Sequence, residues 1–472
     1  MQVALVNPNF QARTRGISQT TVGPPLGLAY LAAGARAWGH SVRIVDANVL
    51  GLDAAQAADA ALDGAPDLVG LTATTPTLHD AADIVRAVRR RHPSTCIALG
   101  GPHATALPAR TLAEIPELDA VACGEAELSF PALLDALASG DPAAVSAVPG
   151  FVWRRPDSSI FDSGPAAAVA DLDALPLPAR DLLPMNLYRT VDDDRFSTLL
   201  AMRGCPCPCV YCSVPALFGR RVRYRKPSAV VEEMKLLVER YGCRFLSFLD
   251  DTFTTRKAWV HEFCDAVRAA RLEREVRWSC LTRADMVDHS LLAHMKLAGC
   301  ARVEMSIETG SAVGRAFIRK GLTEAAVLRG YEAAHNVGLS TMAFLILNVP
   351  GETEQDIEAS LDLVLRADPD FLQVSYLTPY PGTPLYDEAG REGWVRSEDW
   401  SRYSFLNAAV MNSGTLTPEA LDAARKRLLR RFWLRPRTAL KLARLVARGV
   451  ARPRALARTV GLGVLGLLAG GG

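Results

Sequence analysis

The most informative segment of this 472-residue chain reads Arg203-Gly204-Cys205-Pro206-Cys207-Pro208-Cys209-Val210-Tyr211-Cys212. Three of its cysteines have the spacing CxxxCxxC on a loop rich in glycine and proline, directly after the apolar run Thr198–Met202. A loop of this kind can fold around a cuboidal iron–sulfur cluster, with each thiolate bound to one iron. Three protein ligands leave the fourth iron open, and an open metal position is where substrate chemistry takes place. We therefore predict a 4Fe–4S cluster on Cys205, Cys209 and Cys212.

Two other interpretations of the cysteines carry less support. A zinc site would need a fourth ligand, and no paired CxxC or HxxxH lies near this segment. A disulfide loop is disfavoured because ten cysteines without a visible secretory signal suggest a reducing compartment. Cys207 is an additional thiol inside the loop. We interpret Cys207 as a thiol that does not bind the cluster. The alternative is that it competes with one of the three cysteines as a cluster ligand.

The chain from residue 195 to about 390 predicts a partial barrel. Short apolar runs alternate with helical segments of ten or more residues, which is typical of repeated βα units. Six such units predict a barrel shorter than the eight-unit form, with its catalytic groups at the carboxyl ends of the strands. The predicted strands are Thr198–Met202, Phe245–Leu249, Val276–Ser279, Val303–Ile307, Thr341–Leu347 and Phe371–Leu377.

Residues 1–140 predict a separate doubly wound α/β domain. Its apolar runs are short and apolar throughout, as expected of strands buried on both faces of a parallel sheet. Ligands of such sheets bind beyond the carboxyl ends of the strands. The loops expected there are Asn7–Pro8, Thr72–Thr77, Gly100–Thr105 and Gly124–Glu127.

The remaining segments are a linker and a tail. Residues 141–194 are rich in proline and predict a linker with a small hairpin, Phe151–Trp153 and Ser159–Phe161. Residues 391–472 form a basic region with helices predicted over Leu416–Trp433 and Ala439–Val450. Arginine with leucine at helical spacing is typical of a helix that packs on the barrel, and it is also consistent with peripheral membrane contact.

Composition narrows the class of protein. Hydrophobic residues make up 49% of the chain and the formal net charge is +2, so nothing global indicates nucleic-acid binding. The most apolar stretch, Thr459–Leu468, is shorter than the roughly 20 residues that cross a bilayer. We expect a cytoplasmic protein.

The cysteine spacing, at the end of the first strand of a six-unit barrel, resembles the radical S-adenosylmethionine (SAM) superfamily. The resemblance implies that SAM chelates the open iron and that one electron from the cluster cleaves it to methionine and a 5′-deoxyadenosyl radical. It also implies an electron donor such as flavodoxin or ferredoxin. Later strand endings resemble the SAM-binding segments of these enzymes. The positions so implied are Asp250 and Asp251 after the second strand, Arg283 after the third, Ser306 and Glu308 in the fourth, and Pro350 and Gly351 after the fifth.

The first domain resembles the cobalamin-binding domain that precedes the barrel in one large radical SAM branch. Small residues at strand ends let the backbone approach a bulky planar cofactor, which agrees with this resemblance. The DxHxxG signature of a cobalt-ligating histidine is absent, as it often is in that branch. A substrate-binding module without cobalamin is the alternative. The residues implied as cobalamin contacts are Pro25, Gly27, Thr74, Gly100, Gly101, His103, Gly124 and Glu125.

Three activities are compatible with these resemblances. The first is cobalamin-dependent methylation of an unactivated carbon in a small molecule, either a secondary metabolite or a lipid-like compound. The second is oxidative cyclisation or rearrangement with the same cofactors, as in enzymes resembling the anaerobic Mg-protoporphyrin monomethyl ester cyclase. The third, methylthiolation of transfer RNA, is disfavoured because the remaining cysteines are scattered at core-like positions.

Overall fold

The computed structural model describes residues 1–10, 21–155, 157–190, 192–406 and 409–447. Two sheets dominate it, the first mixed and the second parallel, and each is covered by helices. The predicted apolar stretch Thr459–Leu468 and the end of the predicted helix Ala439–Val450 lie outside the described residues.

The first sheet has seven strands in the order β2-β1-β3-β4-β5-β6-β7. Its first five strands are parallel, and the alternating helices cover both of their faces, as the doubly wound prediction requires. The predicted hairpin forms as β6 and β7, but it is not confined to a linker. It pairs antiparallel with β5 and extends the first sheet. The strands are β1 (Gln2–Asn7), β2 (Ser41–Asp46), β3 (Leu68–Thr72), β4 (Cys96–Gly100), β5 (Ala120–Ala122), β6 (Phe151–Arg154) and β7 (Ile160–Asp162).

The second sheet is the six-stranded parallel partial barrel, in the order β15-β14-β13-β12-β11-β8. Two further short strands, β9 and β10, form a separate antiparallel ribbon beside it. The strands are β8 (Phe196–Leu199), β9 (Met202–Arg203), β10 (Arg223–Tyr224), β11 (Phe245–Phe248), β12 (Arg277–Thr282), β13 (Cys300–Glu308), β14 (Ser340–Leu347) and β15 (Phe371–Tyr376).

The prediction that the first barrel strand runs to Met202 is wrong. The strand ends at Leu199, because the Asp250 carboxylate accepts the backbone N–H groups of Ala201 and Met202 and turns the chain out of the sheet. Met202 and Arg203 then pair with Tyr224 and Arg223. The cysteines therefore lie in a loop, residues 204–222, whose two ends are joined by the β9–β10 ribbon. We call it the cysteine loop.

Eighteen helices are present among the described residues, and most have a polar N-cap or a proline in the first turn. They are α1 (Leu26–Ala37), α2 (Ala47–Leu50), α3 (Ala54–Leu62), α4 (Leu78–Arg91), α5 (Pro102–Ala106), α6 (Pro108–Glu114), α7 (Ser129–Ser139), α8 (Pro142–Ala147), α9 (Val214–Phe218), α10 (Pro227–Tyr241), α11 (Lys257–Ala269), α12 (His289–Leu297), α13 (Ala312–Ile318), α14 (Glu324–Val337), α15 (Glu354–Ala367), α16 (Pro384–Arg391), α17 (Pro418–Trp433) and α18 (Pro436–Ala447).

The described part of the basic tail packs on the barrel. Leu421, Leu428 and Phe432 of α17 are buried in the barrel core, and Arg427 and Arg431 bind the Glu358 carboxylate of α15. Farther along, Arg435, Arg437 and Lys441 converge on Asp368, which is buried at the end of α15. None of the described helices is both long and apolar enough to span a membrane.

The segment between α16 and α17 links the barrel to the first domain. Trp400 and Tyr403 are buried in the core of the first domain, and the Trp400 indole donates to Glu114 on α6 (2.8 Å). The same segment returns to the barrel, where the Asn348 amide donates to the Met411 carbonyl (2.8 Å). The segment between α16 and α17 therefore contacts both domains and helps to hold them together.

Candidate active site

A cavity of about 340 Å³ lies at the carboxyl end of the barrel strands. We call it the catalytic cavity. Its described lining comes from the barrel and its loops, together with Phe405 from the segment between α16 and α17. The volume falls within the range of roughly 300–1,000 Å³ that is usual for small-molecule sites. Of the predicted site residues, it gathers Cys205, Cys209, Cys212, Asp251, Arg283, Ser306 and Glu308.

The three predicted cluster ligands share one end of this cavity. Cys205 and Cys209 are buried and Cys212 is partly buried. Burial raises the pKa of the Cys209 thiol, and it raises the pKa of Cys212 to about 12, so metal binding must displace their protons. Across the described residues, no three His, Cys, Asp or Glu side chains converge closely enough to hold a single metal ion. Three thiols facing a cavity are the donor set that a 4Fe–4S cluster with one open iron uses.

Cys207 also faces the cavity, and it contacts two predicted site residues. The Cys207 thiol donates a hydrogen bond to the Cys205 sulfur. This bond lowers the pKa of Cys205 and raises the pKa of Cys207. The Arg283 guanidinium lies 3.3 Å from the Cys207 sulfur, and it is held by two hydrogen bonds to Asp285 (2.9 and 2.7 Å). Cys207 therefore connects the cysteine loop to the loop after β12.

The two neighbouring aspartates after β11 have different surroundings. Asp251 lines the cavity, and burial, with the Cys205 charge, raises its pKa to about 7. Asp250 is 1% exposed and does not line the cavity; its Oδ1 accepts the backbone of the turn after β8. Burial raises the pKa of Asp250 to about 8. Only Asp251 is placed to contact a molecule in the cavity.

Ser306 and Glu308 of β13 also line the cavity, where they form a charged and hydrogen-bonded group with neighbouring side chains. Glu308 accepts from the Tyr211 hydroxyl (2.7 Å) and from the Lys320 ammonium (2.5 Å), and Lys320 also donates to Ser306 (2.7 Å). Glu308 has a φ of 64°, at a β-bulge in the pairing with β14. A non-glycine residue held in this strained conformation is common where a side chain must be aimed at a ligand.

This donor set suits SAM. The carboxylates of Asp251 and Glu308 match an ammonium group or ribose hydroxyls, while Lys320 and Arg283 match a carboxylate. Pro350 and Gly351, in contrast, do not line the cavity. They form the turn after β14, where Gly351 has a φ of 85° and a Cβ would meet Val313 at 3.0 Å.

The predicted cobalamin contacts lie at the carboxyl edge of the first sheet, beside the barrel rim. Gly101 has a φ of 97°, and a Cβ there would lie 2.7 Å from the Ala73 carbonyl. Gly124 has a φ of 73° with open space at its Cβ position, and its N–H donates to Thr105 (3.0 Å). Gly101 is thus required by its close approach to the chain after β3, whereas the open space at Gly124 leaves room beside the backbone, which fits a bulky cofactor. Gly100 ends β4, while Pro25, Gly27 and Thr74 lie at the beginnings of α1 and of a 3-10 turn before α4.

His103 is enclosed rather than presented at that edge. Its ring is 1% exposed, with Nδ1 3.2 Å from the Thr75 hydroxyl and an edge-on contact to Trp400 at 4.9 Å between ring centroids. Burial lowers its pKa to about 4, so the ring is neutral near neutral pH. Nε2 is buried and has no partner among the described residues.

Glu125 is likewise committed to neighbouring protein groups. Its carboxylate binds the Arg203 guanidinium (2.9 Å) and, with both oxygens, that of Arg223 (2.5 and 3.0 Å). These contacts join the first domain to the cysteine loop.

A second cavity, of about 350 Å³, lies deeper in the barrel, and we call it the lower cavity. Phe344 of β14 lines both cavities, so the two cavities adjoin each other. The lower cavity has a largely aromatic and aliphatic wall, to which Phe196, Phe245, Phe371, Met342 and Trp433 contribute. Glu304 lines it too, and burial raises the pKa of that carboxyl.

Several cavity residues were missed by the sequence analysis. Lys320 follows α13 in a loop, at no strand end, so no pattern singles it out. Phe405 reaches the cavity from a distant segment, and only the tertiary structure brings it there. Tyr211 lies between two of the cysteines, and its position inside the predicted cluster segment was the available signal.

Comparisons with known families match both domains. The B12 binding domain model matches residues 13–134, and the radical SAM superfamily model matches residues 199–364. An uncharacterised methyltransferase of Pyrococcus horikoshii is 32% identical over 441 residues, covering 93% of this chain and 94% of that protein. The anaerobic magnesium-protoporphyrin IX monomethyl ester cyclase of Rubrivivax gelatinosus is 27% identical, covering 92% and 78%.

The fold also matches a solved structure. The radical SAM methyltransferase TsrM of Kitasatospora setae, determined with cobalamin and a 4Fe–4S cluster, superposes with a TM-score of 0.69. The match covers 84% of this chain and 79% of that one at 19% sequence identity, so it shows the fold alone.

Proposed function

Because the chain belongs to the radical SAM superfamily, in the group with an N-terminal B12-binding domain, we propose that it methylates an unactivated carbon of a small molecule. A 4Fe–4S cluster, SAM and cobalamin are the cofactors of this domain pair. The observation that carries the proposal is that three thiols with the cluster spacing and four polar groups that match SAM line one cavity at the carboxyl end of the barrel strands. The relative with 32% identity is named a methyltransferase.

The cofactors supply reductive SAM cleavage and methyl delivery when they are bound. The residues of this chain bind and orient them. Cys205, Cys209 and Cys212 would hold the cluster, and Asp251 would accept from the SAM amino group. Lys320 keeps Glu308 in place for the ribose, and the apolar side chains around the site exclude water. An external one-electron donor such as flavodoxin or ferredoxin is required.

The proposal is tested by product analysis without a known substrate. The protein is reconstituted anaerobically with iron, sulfide and hydroxocobalamin, and SAM and a strong reductant are added. Formation of 5′-deoxyadenosine and S-adenosylhomocysteine is followed by mass spectrometry. We expect both products from the wild type and neither from Cys209→Ala. Cys96→Ala, which removes a thiol from the first sheet, is the matched control and should behave as the wild type.

The alternative is oxidative cyclisation or rearrangement with the same cofactors, favoured by the likeness to the Rubrivivax cyclase. 5′-Deoxyadenosine without S-adenosylhomocysteine would replace the methylation proposal with this one. A cluster-loaded protein that forms neither product on its own is assayed again with candidate substrates, and continued absence of both would refute radical SAM chemistry.

The lower cavity supports a partly apolar substrate. Its aromatic wall adjoins the catalytic cavity through Phe344, so a molecule larger than the catalytic cavity can extend into it. Met342→Trp would fill this space. We expect the KM of the substrate to rise at least about tenfold, since a methylene-sized misfit alone costs 10–200-fold in specificity. An unchanged KM would show that the substrate does not enter the lower cavity.

A further inference from the structure

Four buried charged side chains join the first domain to the cysteine loop. Glu125 and Glu127 follow β5 in the first domain, and Arg203 and Arg223 lie on the β9–β10 ribbon. Arg203 binds Glu125 (2.9 Å) and Glu127 (2.6 Å), while Arg223 binds Glu125 (2.5 Å). None of the four side chains is more than 9% exposed. We call them the interdomain ion cluster.

The two arginines occupy a particular place in the chain. Arg203 and Arg223 are directly paired in the ribbon, one at the start and the other at the end of the cysteine loop. Gly204, with a φ of 92°, follows at once, and a Cβ there would lie 2.5 Å from the Arg221 carbonyl. The two ends of the loop that carries the predicted cluster ligands are thus close together. The carboxylates of Glu125 and Glu127 bind the arginines at these two ends.

The contacts are well suited to fixing a position. Arg223 meets both oxygens of Glu125, and it also donates to the backbone carbonyls of Val169 and Phe218. Two-point contacts between a planar guanidinium and a carboxylate fix orientation as well as distance. The two positive and two negative charges balance, so the interdomain ion cluster has no net charge within the buried interface.

We propose that the interdomain ion cluster holds the B12-binding domain in register with the cysteine loop, and that methyl transfer depends on it while SAM cleavage does not. The inference rests on the proposed function. SAM cleavage needs the cluster, SAM and one electron from the external donor, and the cluster and SAM would both be held by barrel residues. Methyl transfer needs a group carried by the first domain to meet SAM at the cavity, so it depends on how the domains are aligned. Glu125, Glu127, Arg203 and Arg223 are positioning residues, because they act through this alignment.

The test compares Arg223→Gln with Arg427→Gln in the full-length protein. Arg427, on α17, pairs with the half-exposed Glu358 carboxylate of α15, so its variant has the same charge change away from the interface between the domains. Hydrogen exchange of the cofactor-free protein is measured first. In Arg223→Gln we expect exchange at least about tenfold faster in residues 120–127 and 203–223, and unchanged exchange in the strands β11 to β15.

Products of the reconstituted protein are measured next, with iron content as a check on loading. We expect 5′-deoxyadenosine within about threefold of wild type, whereas S-adenosylhomocysteine falls up to about 100-fold, the cost of a misplacement on the order of 1 Å. Arg223→Lys keeps the charge without the two-point contact and should be intermediate. Glu127→Gln, which leaves the Glu125 contacts in place, provides a second variant should Arg223→Gln fold poorly.

Two results would overturn the inference. An unchanged product ratio would show that alignment does not depend on these residues. A parallel loss of both products and of iron would show that they support the cysteine loop alone. If the wild type itself forms no S-adenosylhomocysteine, the proposed function fails separately, and exchange at residues 120–127 still decides whether the ion cluster holds the domains together.

Discussion

Replacement of Lys320 by methionine tests the charged group on the wall of the catalytic cavity. The Lys320 and Glu308 side chains are only 11% and 4% exposed, and their charged atoms lie 2.5 Å apart. Burial lowers the pKa of Lys320, but the Glu308 carboxylate outweighs this and raises the pKa above its ordinary value. Methionine keeps the volume and removes the charge, so the Glu308 carboxylate would stay buried with Tyr211 as its remaining hydrogen-bond donor.

Removal of one partner from a buried ion pair costs about 3–5 kcal/mol. For a domain of this size each kcal/mol lowers Tm by about 2–4 °C, so we expect a loss of about 6–20 °C. The assay is thermal unfolding by circular dichroism, on cofactor-free protein under reducing conditions. Because the folded pKa of Lys320 is raised, its stabilising effect is complete at any pH below the ordinary lysine value, so the variant and the wild type are compared near neutral pH.

The double variant Lys320→Met/Glu308→Gln serves as the control, because it removes both charges. It should recover at least half of the lost stability. The reasoning would be refuted by a single variant within about 2 °C of wild type, or by a double variant whose loss equals the sum of the two single losses.

Three further predictions concern other buried charges. Burial raises the pKa of Asp250 to about 8, so the free energy of unfolding falls as pH rises from about 4 to about 8. The Tm of Asp250→Asn relative to wild type should therefore increase from mildly acidic to alkaline pH. A Tm difference that stays the same across this range would count against this reasoning. Glu233 is fully buried between Arg180 and Arg225, so Glu233→Gln should lose about 3–5 kcal/mol in urea unfolding, with Glu232→Gln on the exposed face of α10 as the unaffected control. Asp368→Asn removes the shared partner of Arg435, Arg437 and Lys441, and hydrogen exchange in residues 436–447 should accelerate; unchanged exchange would mean that apolar contacts alone hold α18.

Much of the fold follows from local patterns. The apolar runs of the second half predicted six parallel barrel strands, and the structure has six with closely similar bounds from β11 onward. Such runs are informative because strands buried on both faces tolerate few polar residues. The first strand was the exception. Its end is set by the Asp250 carboxylate, 51 residues after Leu199 in the chain, and no local pattern carries that information.

The residues predicted for the candidate site fall into two groups, those that line the catalytic cavity and those that do not. Asp251 and Ser306 were predicted by resemblance to SAM-binding segments, and both line the catalytic cavity, where the carboxyl ends of the parallel strands meet. Asp250 and Glu125 were also predicted by resemblance as cofactor contacts, and in this structure their carboxylates accept hydrogen bonds from protein groups. Which of two adjacent acids faces the cavity depends on how the chain turns after the strand, and this turn is set by packing.

The sequence by itself predicted the two α/β units and a metal cluster on the cysteine loop, because strand and helix periodicity and cysteine spacing are properties of short segments. Only the tertiary structure decided that Lys320 and Phe405 reach the catalytic cavity, that the described part of the basic tail lies against the barrel, and that Glu125 binds the two arginines that flank the cysteine loop. These contacts join residues far apart in the chain, and the free energy that selects them comes from burial and charge pairing between elements that are already formed.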